Sequence, residues 1–139
     1  MTTVVIDASA AVKLLLDEPG RESVVKLWQQ QTLSFLAPAV LLVEVPAALD
    51  SAMGAHRLTT AERSAADRLW RRHRRFISLR TVDSRFAVRA GTMTAVLRGV
   101  DRLYLQAARE MGGLPLLSFD WRQRQAAAEL GLPLMPAEI

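Results

Sequence analysis

Close to its start the chain reads Val4-Val5-Ile6-Asp7-Ala8-Ser9. Three β-branched apolar residues in a row, without polar alternation, fit a strand covered on both faces, as strands of a parallel sheet are. Parallel neighbours cannot be joined by hairpins, so each strand needs a crossover, usually helical, before the next. The rest of the chain supplies that alternation. Short apolar runs at Thr3–Ile6, Ser34–Ala37, Ile77–Val82, Leu114–Phe119 and Leu132–Met135 read as five strands. Between them, helical spacing predicts helices at about Ala8–Leu16, Arg21–Gln31, Ala39–Ala55, Thr60–Arg75, Ser84–Leu97, Asp101–Met111 and Trp121–Leu130. Asp17-Glu18-Pro19-Gly20 stops the first and Gly112-Gly113 the sixth. Gly99 breaks the fifth, on which Phe86, Ala90, Met93 and Leu97 align. Thr59-Thr60-Ala61-Glu62 is a capping box. The expected fold class is α/β: a three-layer α/β/α sandwich with a central parallel sheet of about five strands, in a single domain over residues 1–139.

The segment Ala39–Ala55 is apolar on most sides until Asp50. A helix of that kind is covered on more than one face, which in a small domain suggests a homodimer surface. Pro46 inside it is expected to kink it or to mark an irregular first half. The longest uncharged stretch, Leu27 to Val43, holds glutamines, Thr32, Ser34 and Pro38, too polar and broken for a bilayer. With no cysteine there is neither a disulfide framework nor a thiolate metal site, which fits a cytoplasmic protein. The start of the chain lacks the basic and apolar regions of a signal peptide.

The net charge of +4 is carried by sixteen arginines and two lysines, Lys13 and Lys26. The planar guanidinium suits phosphate, so a basic surface points to nucleic acid. A solvated arginine surface explains the same composition, and the two readings carry equal weight.

Most of the fourteen acids sit in polar company or at helix starts. Four stand apart. Asp7 and Asp120 each end an apolar strand, where ligands of open α/β sheets collect, although either, taken singly, is better explained as a helix N-cap. Glu44 lies in Ala39-Val40-Leu41-Leu42-Val43-Glu44-Val45-Pro46, with Val40, Leu41, Ala47 and Ala48 at helical spacing. A buried carboxylate needs a partner, and none is local; an arginine from elsewhere or a metal ion would serve. Asp101 follows Gly99-Val100 and reads as an N-cap. Four carboxylates brought together repel one another unless a cation sits among them. All-oxygen donors, with His56 and His73 both in arginine-rich surface stretches, favour Mg²⁺ or Mn²⁺ over zinc.

With these acids the sequence resembles PIN-domain ribonucleases, particularly the VapC-like toxins of bacterial toxin–antitoxin pairs. The resemblance spans nearly the whole chain. It rests on Val-Val-Ile-Asp-Ala-Ser-Ala at the start, Glu44 in mid-helix, Val-Asp-Arg-Leu-Tyr-Leu-Gln-Ala-Ala at residues 100–108 and Leu-Leu-Ser-Phe-Asp at 116–120. It implies a PIN-like fold and metal-dependent hydrolysis of RNA phosphodiesters that leaves a 5′-phosphate. Asp7, Glu44, Asp101 and Asp120 match the family's metal-binding acids, with Asp7 and Asp101 as direct ligands. Ser9 and Ser118 match supporting hydroxyls. An antitoxin segment is expected in a groove near the apolar early helices, directing a basic residue toward the acids. Arg102 stands where the family often has a small residue, and is read as a phosphate contact or a solvated side chain. Arg71, Arg72, Arg74, Arg75, Arg85, Arg89, Arg122 and Arg124 complete the possible RNA rim.

Other α/β readings fit less well. A receiver-like phosphoacceptor domain needs a lysine after a late strand, and none follows Lys26. A haloacid-dehalogenase-type phosphatase places a second aspartate two residues after the first, where this chain has Ser9. No glycine-rich phosphate loop is present. The alternative of a different kind is a catalytically inactive PIN scaffold that binds RNA or protein.

Overall fold

A computed structural model describes residues 1–139. Strand β1 (Thr2–Ile6) occupies the centre of a five-stranded sheet, all of whose pairings are parallel. On one side lie β2 (Leu33–Pro38) and then β3 (Ile77–Arg80); on the other lie β4 (Leu116–Leu117) and β5 (Leu134–Met135). Val5 is in register with Leu36 on one side and Leu116 on the other. Val4, Val5 and Ile6 are fully buried, as the unbroken apolar run requires.

Seven α-helices cross over between strands. α1 (Ala8–Ala11) is a single turn continued by a 3₁₀ turn, Val12–Leu14, rather than one helix reaching Leu16. α2 (Arg21–Trp28) stops three residues before Gln31, and Trp28 stacks on Phe35 of β2 at 4.7 Å. α3 (Leu41–Gly54) runs unbroken through Pro46. It is not covered all round: Leu41, Val45, Leu49 and Ala52 are buried, while Val43 is 68% exposed. The capping box is present at the start of α4 (Thr60–His73), which ends in a 3₁₀ turn, Arg74–Phe76. His73, expected in solvent, is half-buried with its ring edge-on to Trp28.

The largest departure is α5 (Ser84–Gly91), which ends well before Leu97. Met93 is buried and Leu97 half-buried, so the apolar spacing is real, but it serves an irregular segment. The cause lies eleven residues on. Arg102, in α6 (Gly99–Glu110), donates to the carbonyls of Gly91, Met93, Ala95 and Leu97 at 2.8–3.3 Å. Backbone acceptors that a continuing helix would satisfy internally are satisfied by one guanidinium instead. α7 (Trp121–Glu129) follows β4, whose ladder is shorter than the expected Leu114–Phe119. No helix is long and apolar enough to cross a membrane.

Candidate functional site

The C-terminal ends of β1 and β4 lie side by side, with the Asp7 N–H donating to the Leu117 carbonyl. The two turns that follow are tied by hydroxyls. Ser9 Oγ donates to Asp7 Oδ1 at 2.6 Å and accepts the Phe119 N–H at 2.9 Å. It also lies 3.4 Å from Ser118 Oγ, which accepts the Asp120 N–H. Ser9 and Ser118 thus bridge the two acid-bearing turns, although they are 109 residues apart.

Both strand-end aspartates cap helices, so the simple structural reading is correct as far as it goes. Asp7 Oδ1 accepts the Ala10 N–H, and Asp120 Oδ1 accepts those of Arg122 and Gln123. In each case the helix-capping bonds fall on Oδ1. Asp101 differs from expectation. α6 begins at Gly99, so Asp101 lies inside its first turn and caps nothing. Its half-buried carboxylate makes no hydrogen bond within the chain.

Glu44 is half-buried, and its partner is neither an arginine nor a neighbour on α3. The Tyr104 hydroxyl donates to Glu44 Oε1 at 2.6 Å from α6. Tyr104 is fully buried, and burial together with the Glu44 carboxylate pushes its phenol far above the usual range, so it stays a donor. Sequence reasoning assigned Tyr104 no role of its own beyond its place in the 100–108 stretch. Its one visible signal was its position three residues after Asp101, on the same side of the helix.

Three of the acids are held away from their ordinary protonation. Burial raises Asp7 to about 6 and the Asp120 charge adds to this, against hydrogen bonds from Ser118, Ser9 and the Ala10 N–H. Burial, then the Asp120 charge, raises Asp101, with Arg98 pulling the other way. Burial raises Glu44, reinforced by Asp101 and relieved by Tyr104. Asp7 and Asp101 therefore both feel the Asp120 charge, and Glu44 feels that of Asp101. The expected four acids form an electrostatic chain along one edge of the sheet.

Asp101 and Asp120 line a cleft of about 790 Å³ with Val96, Leu97, Arg98, Trp121 and Arg122. Of the expected RNA-facing arginines, Arg122 is at this cleft and Arg85 is exposed on α5. Arg102 is neither a phosphate contact nor a solvated side chain, since its guanidinium is occupied by the four carbonyls of the 91–97 segment. Arg124 is buried and donates to the carbonyls of Ser118, Met135, Pro136 and Ala137. Arg98, at the cleft and acting on Asp101, was not singled out from the sequence.

No three acidic or histidine side chains form a closed cage for an ion. The donor set still fits Mg²⁺ or Mn²⁺. Mg²⁺ usually keeps several waters and takes only one or two carboxylates, with substrate phosphates completing its shell. Carboxylates that raise one another's pKa are also the groups whose repulsion a cation relieves.

Strand order, crossovers and strand-end acids together define a parallel α/β domain with acids at the carboxyl ends of its central strands, and comparison with known proteins gives it a family. The model of the PIN domain matches residues 4–129, and the chain belongs to the PIN-domain family. Within it, the chain groups with the VapC ribonucleases: it is 33% identical over 145 aligned positions to the ribonucleases VapC45 and VapC49 from two strains of Mycobacterium tuberculosis, covering all of this chain and 99% of each relative. The fold is shared with the sarcin–ricin-loop-cleaving toxin VapC20 of M. tuberculosis, at a TM-score of 0.67 and 16% identity over 88% of this chain and 94% of that one. It is shared too with a chain of the DNA-bound VapBC2 complex of Rickettsia felis, at a TM-score of 0.69 and 8% identity over 96% and 97%.

Proposed function

We propose that this chain is the toxin of a toxin–antitoxin pair, a cytoplasmic endoribonuclease that acts as one PIN-like domain over residues 1–139 and requires Mg²⁺ or Mn²⁺. The observation that carries the reading is the gathering of four carboxylates, in which the Asp120 charge raises Asp7 and Asp101 and the Asp101 charge raises Glu44, in a member of the VapC ribonucleases.

Asp7 and Asp101 would hold the metal, with Asp120 and Glu44 completing its surroundings through waters. A bound divalent ion supplies a water of lowered pKa and a counter-charge for the phosphorane. The protein's own groups do the rest. Ser9 and Ser118 fix the Asp7 and Asp120 turns against each other. Tyr104 holds Glu44 by one oxygen and leaves the other to orient a water. Arg98 and Arg122 offset the negative edge so that an RNA backbone can approach. Incubation of total RNA with and without Mg²⁺, beside the Asp7→Asn variant, tests this. Mg²⁺-dependent cleavage lost in the variant is expected; equal activity in the two proteins would sink the catalytic assignment.

The partner chemistry follows from two surfaces. A hollow of about 420 Å³ beside the first 3₁₀ turn and α3 is lined by Leu15, Leu16, Ala52 and Leu58, with Asp17, Glu18 and Glu62 outnumbering Arg57. Its apolar and acidic lining suits an antitoxin segment with apolar and basic residues. Val43 and Ala47, one turn apart on the exposed side of α3, suit a second copy of this chain.

A further inference from the structure

We propose that Trp121 and Val96 form a stacking platform for one unpaired base of the RNA, beside the acids that act on its backbone; this rests on the ribonuclease reading above. Trp121 directly follows Asp120 and is 69% exposed, while Val96 is 97% exposed. The chain's other tryptophans are spent on packing: Trp70 is buried, and Trp28 stacks on Phe35. Trp121 and Val96 line the acid cleft, and they also line a second hollow of about 440 Å³ with Arg122, Gln125 and Glu129. They therefore form the ridge between two depressions, one of which holds Asp101 and Asp120.

The ridge is held in place from both sides. Arg102 binds the carbonyls of Ala95 and Leu97, which flank Val96 and leave its side chain outside. Trp121 opens a helix whose first amides are capped by Asp120. A rigid, exposed indole gains by stacking on any base, but only on a base that is not already stacked in a duplex. Arg98 and Arg122 line the same cleft, and neither guanidinium is in an ion pair or hydrogen bond within the chain. They suit the phosphates on either side of such a base. The surface thus fits single-stranded or looped RNA better than an apolar protein segment, which would make no use of two guanidiniums that no ion pair within the chain engages.

The test is binding read by tryptophan fluorescence, in EDTA and with Asp101→Asn to lift the carboxylate repulsion. A short unstructured oligoadenylate should quench the emission. An abasic strand of equal length and a blunt duplex should bind more weakly and leave the emission unchanged. Trp121→Ala should abolish the quenching and weaken oligoadenylate binding by about five- to a hundred-fold, with little change for the abasic strand. Trp121→Phe should keep most of the affinity. Equal binding of oligoadenylate and abasic strand, or by wild type and Trp121→Ala, overturns the proposal and leaves the ridge to a protein partner. Because no cleavage is needed, base-dependent quenching without nuclease activity would refute the ribonuclease reading alone. Cleavage without base-dependent quenching would refute the platform alone.

Discussion

Asp7 is a buried carboxyl whose pKa stands near 6 in the fold against 3.8 in the unfolded chain. Between those values the folded state binds the proton more readily, so Asp7 favours folding most at low pH and loses that contribution as pH rises through 6. Above pH 7, without divalent metal, its charge destabilises the fold by about 3 kcal/mol. Urea unfolding at pH 5 and pH 8 should show the wild type losing stability on this rise and Asp7→Asn losing much less. Added Mg²⁺ should narrow the gap at pH 8, and parallel curves for the two proteins would refute the account. Tyr104→Phe removes one hydroxyl from a packed ring and should cost stability only about 1 kcal/mol. Cleavage should fall about tenfold or more, and the acid limb of the pH–rate profile should move upward, because Tyr104 lowers the Glu44 pKa. An unmoved limb would make Tyr104 a packing residue only. At this scale the sequence showed which acids were unusual, because a carboxylate after an apolar strand or inside an apolar helix is visible locally. It could not show Tyr104 as the partner of Glu44, a contact across sixty residues of chain.

The 91–97 segment shows how one side chain can decide what an element becomes. Its apolar spacing is helical, and α5 should run through it by pattern alone. Arg102 draws its carbonyls the other way. Arg102→Ala should leave the sheet intact and raise amide hydrogen exchange over residues 92–98. RNA binding should weaken with it, as Val96 and Arg98 lose their fixed positions. Unchanged exchange in the variant would remove Arg102 as the cause of the early helix end. Nothing in the local spacing reports this clamp, just as nothing in the basic pattern distinguished Arg124, turned inward, from Arg122, turned to the cleft. Signals for starts and stops were read well where the chemistry is local, as in the Thr59–Glu62 capping box.

At the level of the molecule, the parallel α/β architecture was legible because continuous apolar strands separated by helical spacing leave little choice of class. Strand order was not, since the pairing of β1 with β4 joins residues more than a hundred positions apart. The exposed Val43 and Ala47 predict a measurable assembly: sedimentation should give the mass of two chains, and Val43→Glu the mass of one. A wild-type monomer at micromolar concentration would exclude that surface. The order β3-β2-β1-β4-β5 also has a bearing on biosynthesis. Chains emerge N-terminus first, so the central strand is made before the others and waits for β4, its partner on the far side. Asp101 is made shortly before β4 and Asp120 shortly after it, both more than fifty residues after Glu44. The acid edge of this topology is therefore assembled late relative to its own central strand: a nascent chain that stops short of Asp101 carries two of the four acids and lacks β4, which sets the Asp120 turn beside Asp7.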